Sequence, residues 1–267
     1  MHLFEKKIPE TLGRDLFGLY FPHPVGLAPG LDPNGTRYNS FRNVSFVEVG
    51  PLMPVEYATS QERRFWKRFY AHEKKERTGL REAIVHIRQK PPKCLLAANI
   101  APLPSSGDCD AVTRDMLKAF TFMYDFADLF IIDTFHRNAA GSCPLQSAEF
   151  LSETMDALID MRFCYDSYKP ILIRIDNDIQ DGSLAGLLHY MMYSGLDGII
   201  AGHERYPLGL IRRIGYYTSG RFPVIACGEI DTPDKADELL AAGASLLQVE
   251  HRAARSILNH LIAPKTL

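Results

Sequence analysis

Ten ionisable residues stand at or just beyond the ends of short apolar runs: Asp133, His136, Arg137, Arg174, Asp176, His203, Glu229, Glu250, His251 and Arg252. Imidazole titrates near neutral pH, so histidines set among carboxylates and guanidinium groups are equipped to move protons. The same mixture is equally suited to neutralising itself in ion pairs between loops. His203 and His251 with Asp133 or Asp176 are ligand types for a metal, but no short fixed spacing joins them, and no metal is expected. The five cysteines, Cys94, Cys109, Cys143, Cys164 and Cys227, are scattered and include no C-x-x-C pair. Neither a zinc site nor a disulfide framework is indicated.

These residues need a scaffold that brings many strand ends together. Apolar runs at 25–28, 46–49, 95–100, 129–132, 171–175, 198–201, 224–227 and 246–249 are continuous rather than alternating, the pattern of parallel strands covered on both faces. Helical patterns lie between them. Thr232-Pro233-Asp234 reads as N-cap, first-turn proline and first-turn acid, with Gly243 beyond the end. Leu184, Leu187, Leu188 and Met191 share a helix face that stops at Gly195, and another helix begins near Leu208. Eight strand–helix units in 267 residues predict one α/β domain, a (β/α)8 TIM barrel, the fold that uses about 250 residues. In such barrels the strand C-termini carry the chemistry, and there the ionisable residues fall.

Two stretches depart from alternation. Residues 1–24 read as an N-terminal closing segment with an extended stretch near 16–21. Residues 51–93 form an insertion between the second and third barrel strands. Within it, residues 62–68 (ERRFWKR) are basic and aromatic and include the single tryptophan, Trp66. The stretch suits an amphipathic surface element with Phe65 and Phe69 inward and the cations solvated, the alternative being a surface for an anionic ligand. The formal charge of −2 argues against nucleic acid as the partner. No apolar run approaches the roughly 20 residues that cross a bilayer, so no membrane span and a cytoplasmic protein are expected.

Several segments in order resemble the dihydroorotate dehydrogenase family, especially its class 2 members. They are residues 24–35 (PVGLAPGLDPNG), Val47-Glu48-Val49-Gly50, Asn99, residues 133–146 (DTFHRNAAGSCPLQ), Leu172-Ile173-Arg174-Ile175, residues 197–201, residues 225–230 and residues 242–248. The resemblance covers roughly residues 16 to 250. It implies FMN at the strand C-terminal face, oxidation of dihydroorotate to orotate, and a place in pyrimidine biosynthesis. By the same resemblance Ala28, Gly30, Asn99, Arg174, His203, Gly228, His251 and Arg252 fall at cofactor positions. Asn34, Asp133 and Asn138 fall at substrate positions, and His136 stands where the family has its serine base.

Departures from the family pattern accumulate. Pro33 replaces the substrate-gripping lysine, and Asp133 puts a carboxylate where an amide meets orotate. Pro51 replaces a threonine, and Ala101 follows Asn99-Ile100 where a glycine and lysine are usual. The phosphate cup, Gly-Gly and Tyr-Ser-Gly in the family, reads Gly228-Glu229 and Glu250-His251-Arg252, placing carboxylates where a dianion would sit. The loop after the sixth strand is shortened to residues 204–207. The chain therefore reads as a divergent barrel that binds a small anionic metabolite or a protein partner as a pseudoenzyme, with standard oxidation weak or absent. The alternative is an active FMN-dependent enzyme, or a repurposed oxidoreductase with His136 as base.

Overall fold

The computed structural model describes residues 8–54, 80–103, 106, 108–134 and 148–263. The expected (β/α)8 barrel is met. Strands β3 (Val25–Leu27), β4 (Phe46–Leu52), β5 (Leu95–Ile100), β6 (Leu129–Asp133), β7 (Ile171–Ile175), β8 (Gly198–Ala201), β9 (Val224–Cys227) and β10 (Leu246–Val249) close in the order β10-β3-β4-β5-β6-β7-β8-β9. All eight pairings are parallel. The described helices are α1 (Leu80–Gln89), α2 (Cys109–Met123), α3 (Ala148–Arg162), α4 (Asp181–Ser194), α5 (Leu208–Thr218), α6 (Pro233–Ala241) and α7 (His251–Ile262).

Local chemistry sets the helix limits. The Thr232 hydroxyl accepts the backbone N–H of Lys235 at 3.3 Å, with Pro233 in the first turn of α6. Helix α4 stops at Gly195, whose φ of 92° is left-handed. One strand outruns its apolar pattern: β4 continues beyond Val49 through a cis Gly50–Pro51 bond and an irregular register, and Leu52 pairs with Ile100. The Gly-Pro punctuation hid that continuation, because it reads as a strand end.

Two apolar layers form the core. Between barrel and helices lies a large cluster that includes Val47, Leu96, Phe130, Met155 and Leu188. Inside the barrel, Phe46, Ala97, Leu129, Leu172, Ile200, Ile225 and Leu246 fill the lower part. A hairpin of β1 (Arg14–Leu16) and β2 (Leu19–Phe21) packs against this inner layer, turning through Phe17 and Gly18 at positive φ. Phe21 stacks edge-on against Phe46, with ring centroids 5.6 Å apart. A Cβ on Gly26 would lie 2.0 Å from the Phe46 ring, and one on Gly198 would lie 2.5 Å from the Phe17 ring. These glycines make room for the aromatic rings.

Among the described cysteines, Cys94, Cys164 and Cys227 are not disulfide-bonded. Cys109, which opens α2, is disulfide-bonded, so the lack of a framework does not extend to a lack of any bridge. No described helix is long and apolar enough to cross a membrane.

His23, in the turn entering β3, is buried, and its Nδ1 accepts the backbone N–H of Val25 at 3.3 Å. Burial lowers its pKa from the ordinary 6.5 to about 4. Between those values the unfolded chain binds a proton that the folded chain refuses, so stability falls as pH falls. Wild type should lose stability relative to His23→Asn by about 1.4 kcal/mol per pH unit from about pH 6.5 to 4 in urea titrations. Parallel pH curves for the two proteins would refute this.

Candidate functional site: the polar layer and mouth of the barrel

Above the apolar inner layer the barrel interior turns polar. Glu48 on β4, Asn99 on β5, Arg174 on β7 and Gln248 on β10 are each at most 1% exposed and bond to one another across the barrel. A buried carboxylate is costly unless paired and hydrogen-bonded. Glu48 has both. Its Oε1 accepts from Asn99 Nδ2 at 2.7 Å, and its Oε2 accepts from Arg174 Nη2 and Gln248 Nε2. Arg174 Nη2 also reaches Gln248 Oε1 at 3.4 Å, and the Arg174 carbonyl accepts from the Thr134 hydroxyl at 2.9 Å. Arg174 is thus held both through its guanidinium and through its backbone carbonyl.

His203, half-buried above this layer, places Nδ1 3.4 Å from Arg174 Nη1. Arginine only donates, so a hydrogen bond there requires an unprotonated Nδ1, with the proton on Nε2.

The loops around the mouth are sewn to one another. Arg205, after β8, forms ion pairs with Asp178 and, at 3.7 Å, with Asp176, both following β7. The Asn177 amide donates to the carbonyls of Arg205 at 3.1 Å and Tyr206 at 3.3 Å. This loop lies close over the ends of β8 and β9. A Cβ on Gly228, where φ is 116°, would sit 2.4 Å from the Arg205 carbonyl oxygen. One on Gly202 would sit 2.5 Å from the Cys227 carbonyl oxygen. The close approach that glycine permits is used here by the chain's own backbone.

The remaining sequence-predicted residues are spread around the rim. Ala28 donates its backbone N–H to the Val249 carbonyl at 3.0 Å. Gly30 is exposed at φ 78°, with open space where a Cβ would stand. Asn34 is half-buried in a turn organised by Asp32, whose carboxylate accepts the N–H groups of Thr36 at 2.9 Å and Arg37 at 2.8 Å. Glu229, Glu250, His251 and Arg252 are exposed, and His251 meets Phe41 edge-on at 5.0 Å. Lys235 donates to the Glu229 carbonyl at 2.9 Å and to Asp231 at 2.8 Å. Its pKa is raised by the Asp231 hydrogen bond first, then by the nearby carboxylates including Glu229 and Glu250. Asp133 ends β6 in register with Arg174. His136, Arg137 and Asn138, with residues 62–68, lie outside the described residues. Among the described residues no group of three or more His, Cys, Asp or Glu side chains gathers to hold a metal.

Glu48, Gln248 and Asp32 occur inside the quoted motifs but received no role there. A signal existed. A carboxylate and an amide interrupt strands that are otherwise apolar on both faces, and such groups must find partners inside.

Fold and site together define an α/β barrel with a sealed polar layer beneath its C-terminal mouth. No protein-family model matches the chain. Curated relatives do. It is 27% identical over 283 residues to the dihydroorotate dehydrogenase (quinone) of Cellvibrio japonicus, covering 92% of this chain and 82% of that protein. It is 28% identical to the protein of the same description in Trichormus variabilis, covering 89% and 73%. Among solved structures, the ligand-free DHODH of Eimeria tenella superposes with a TM-score of 0.81 at 19% identity, covering 98% of this chain and 89% of that one. The same enzyme in complex with ferulenol gives 0.80 at 18% identity, covering 98% and 86%. Over about nine-tenths of its length, this chain is a sequence relative of proteins named dihydroorotate dehydrogenase (quinone).

The Glu48–Arg174 pair is testable through stability. Glu48→Gln sets an amide donor against the Arg174 and Gln248 donors and leaves a buried cation uncompensated, with an expected loss of about 3–5 kcal/mol in urea unfolding. Adding Arg174→Met should recover at least about 1.5 kcal/mol relative to additivity. Strictly additive losses would mean the two side chains do not act as a pair.

Proposed function

We propose that this chain is a dihydroorotate dehydrogenase-like barrel that has lost FMN-dependent oxidation and binds a small planar anion at its mouth. The observation that carries this reading is the Arg205 carbonyl packed against Gly228. That position corresponds to the family's Gly-Gly phosphate cup, and here the chain's own backbone uses the space. The exposed carboxylates of Glu229 and Glu250 flank the same region and repel a dianion. The residues present do not fit the phosphate end of FMN.

The ring end differs. His203 stands half-buried over the Glu48–Arg174 pair at the floor of the mouth, which supports a compact ligand that needs no phosphate grip. Pro33 in place of the family lysine, and His136 in place of the serine base, fit binding without turnover. Asn99 is kept and Arg174 keeps a cation where the family has lysine, which favours a second reading, an oxidoreductase with His136 as base.

The visible absorption spectrum separates the two. The purified protein should be colourless, should leave the fluorescence of added FMN unquenched, and should release heat on titration with orotate. A yellow protein that bleaches on adding dihydroorotate, and stops doing so in His136→Ala, would overturn the proposal and establish the second reading.

A further inference from the structure

A groove of about 230 Å³ opens on the outer face of the barrel wall, where the first turns of α3 and α4 meet the ends of β6 and β7. It is separate from the polar layer. Arg174 points into the barrel, so Ile175, the next residue on β7, points outward. Ile175 belongs with Leu151 of α3 and Leu187 of α4 to the apolar cluster between barrel and helices, and all three line the groove. Ile179, half-buried in the loop after β7, completes its apolar side.

The polar side of the groove is rich in acceptors. Asp176 and Asp178 contribute carboxylates, and Ser183 a hydroxyl. Thr134, which is buried, donates its hydroxyl proton to the Arg174 carbonyl, so its lone pairs are what it offers a ligand. None of the described lining residues is a cation. Arg205 reaches in from the loop after β8, to Asp178 Oδ2 and, at 3.7 Å, to Asp176 Oδ1. The second oxygen of each carboxylate accepts no hydrogen bond among the described residues. Two carboxylates against one guanidinium leave the polar side net negative beside an apolar wall.

That lining selects its ligand by charge and by size. Among the described residues no three metal-ligating side chains gather there, and the apolar wall offers a bare ion nothing. A cation with an apolar body uses both sides. An apolar cavity of about 150 Å³ holds benzene, so this groove has room for one ring and a short arm. We infer that the groove binds a small organic cation, a primary amine on an apolar body about the size of a benzene ring. Asp176 and Asp178 hold its ammonium group in competition with Arg205. This inference does not depend on the proposed function, which concerns an anion inside the mouth.

Benzylamine and its uncharged counterpart benzyl alcohol test this on the full chain, followed by backbone amide shifts in proton–nitrogen correlation spectra. Benzylamine should bind with a Kd of about 1 mM or lower, the range open to a ligand of its size. Its affinity should exceed that of benzyl alcohol by about fivefold, the effect of a partly exposed charge pair. The amides of Ile179, Gly182 and Ser183 should move, and those of Asn99 and Gln248 inside the barrel should not. In Asp176→Asn/Asp178→Asn the amine should bind no better than the alcohol. Arg205→Gln removes the competing guanidinium, so benzylamine should bind it several-fold more tightly. Ser183→Phe, at an exposed helix position, should fill the groove and abolish binding of both compounds with an unchanged far-UV spectrum. Absence of saturable binding, equal affinity for amine and alcohol in wild type, or no tightening in Arg205→Gln would overturn the inference. So would amide shifts confined to the barrel interior.

Discussion

The carboxylate of Glu48 is the constraint on which the upper barrel depends. Placed at 0% exposure on a strand with apolar neighbours, it obliges three other strands to deliver donors to one point. Arg174 supplies the charge, while Asn99 and Gln248 supply neutral hydrogen bonds. Because β4, β5, β7 and β10 are spread around the ring, one ionised group links opposite walls of the barrel. Apolar packing alone would tolerate small shifts of those strands. Directional bonds to a buried charge do not.

Above that layer the mouth is shaped by loop length. The short connection between β8 and α5 leaves the chain no route except across the ends of β8 and β9, with Arg205 anchored to the acids after β7. Gly202 and Gly228 let it pass closely. Much of the rim's charge is therefore spent internally: Asp176 and Asp178 on Arg205, and Asp231 on Lys235. Exposed Glu229, Glu250, His251 and Arg252 remain directed to solvent.

Much of this was readable in the residues. Continuous apolar runs located the barrel strands because parallel strands are buried on both faces. Helix limits at Thr232 and Gly195 followed from side chains and conformations that act locally. Arg174 stood out as a charge at a strand end, Asn99 was recognisable only through resemblance to a family, and their partners Glu48 and Gln248 went unassigned. Pairing across a barrel depends on closure and register, which no local spacing encodes. The Arg205 carbonyl over Gly228 was not legible, since a backbone oxygen has no residue type. The extension of β4 past Val49 was concealed for a related reason: Gly50-Pro51 looks like a terminus, and only the neighbouring β5 shows that the strand resumes.

The hairpin at the closed end has a consequence for how the molecule is made. Phe17 sits against Gly198, and Phe21 against Phe46, so the seat for this hairpin is completed by residues made much later. During vectorial synthesis at about 5–20 residues per second, the hairpin leaves the ribosome many seconds before β8 exists. Its aromatic side chains must wait in water or in the grip of a chaperone. A segment translated before any barrel strand is thus among the last to reach its place.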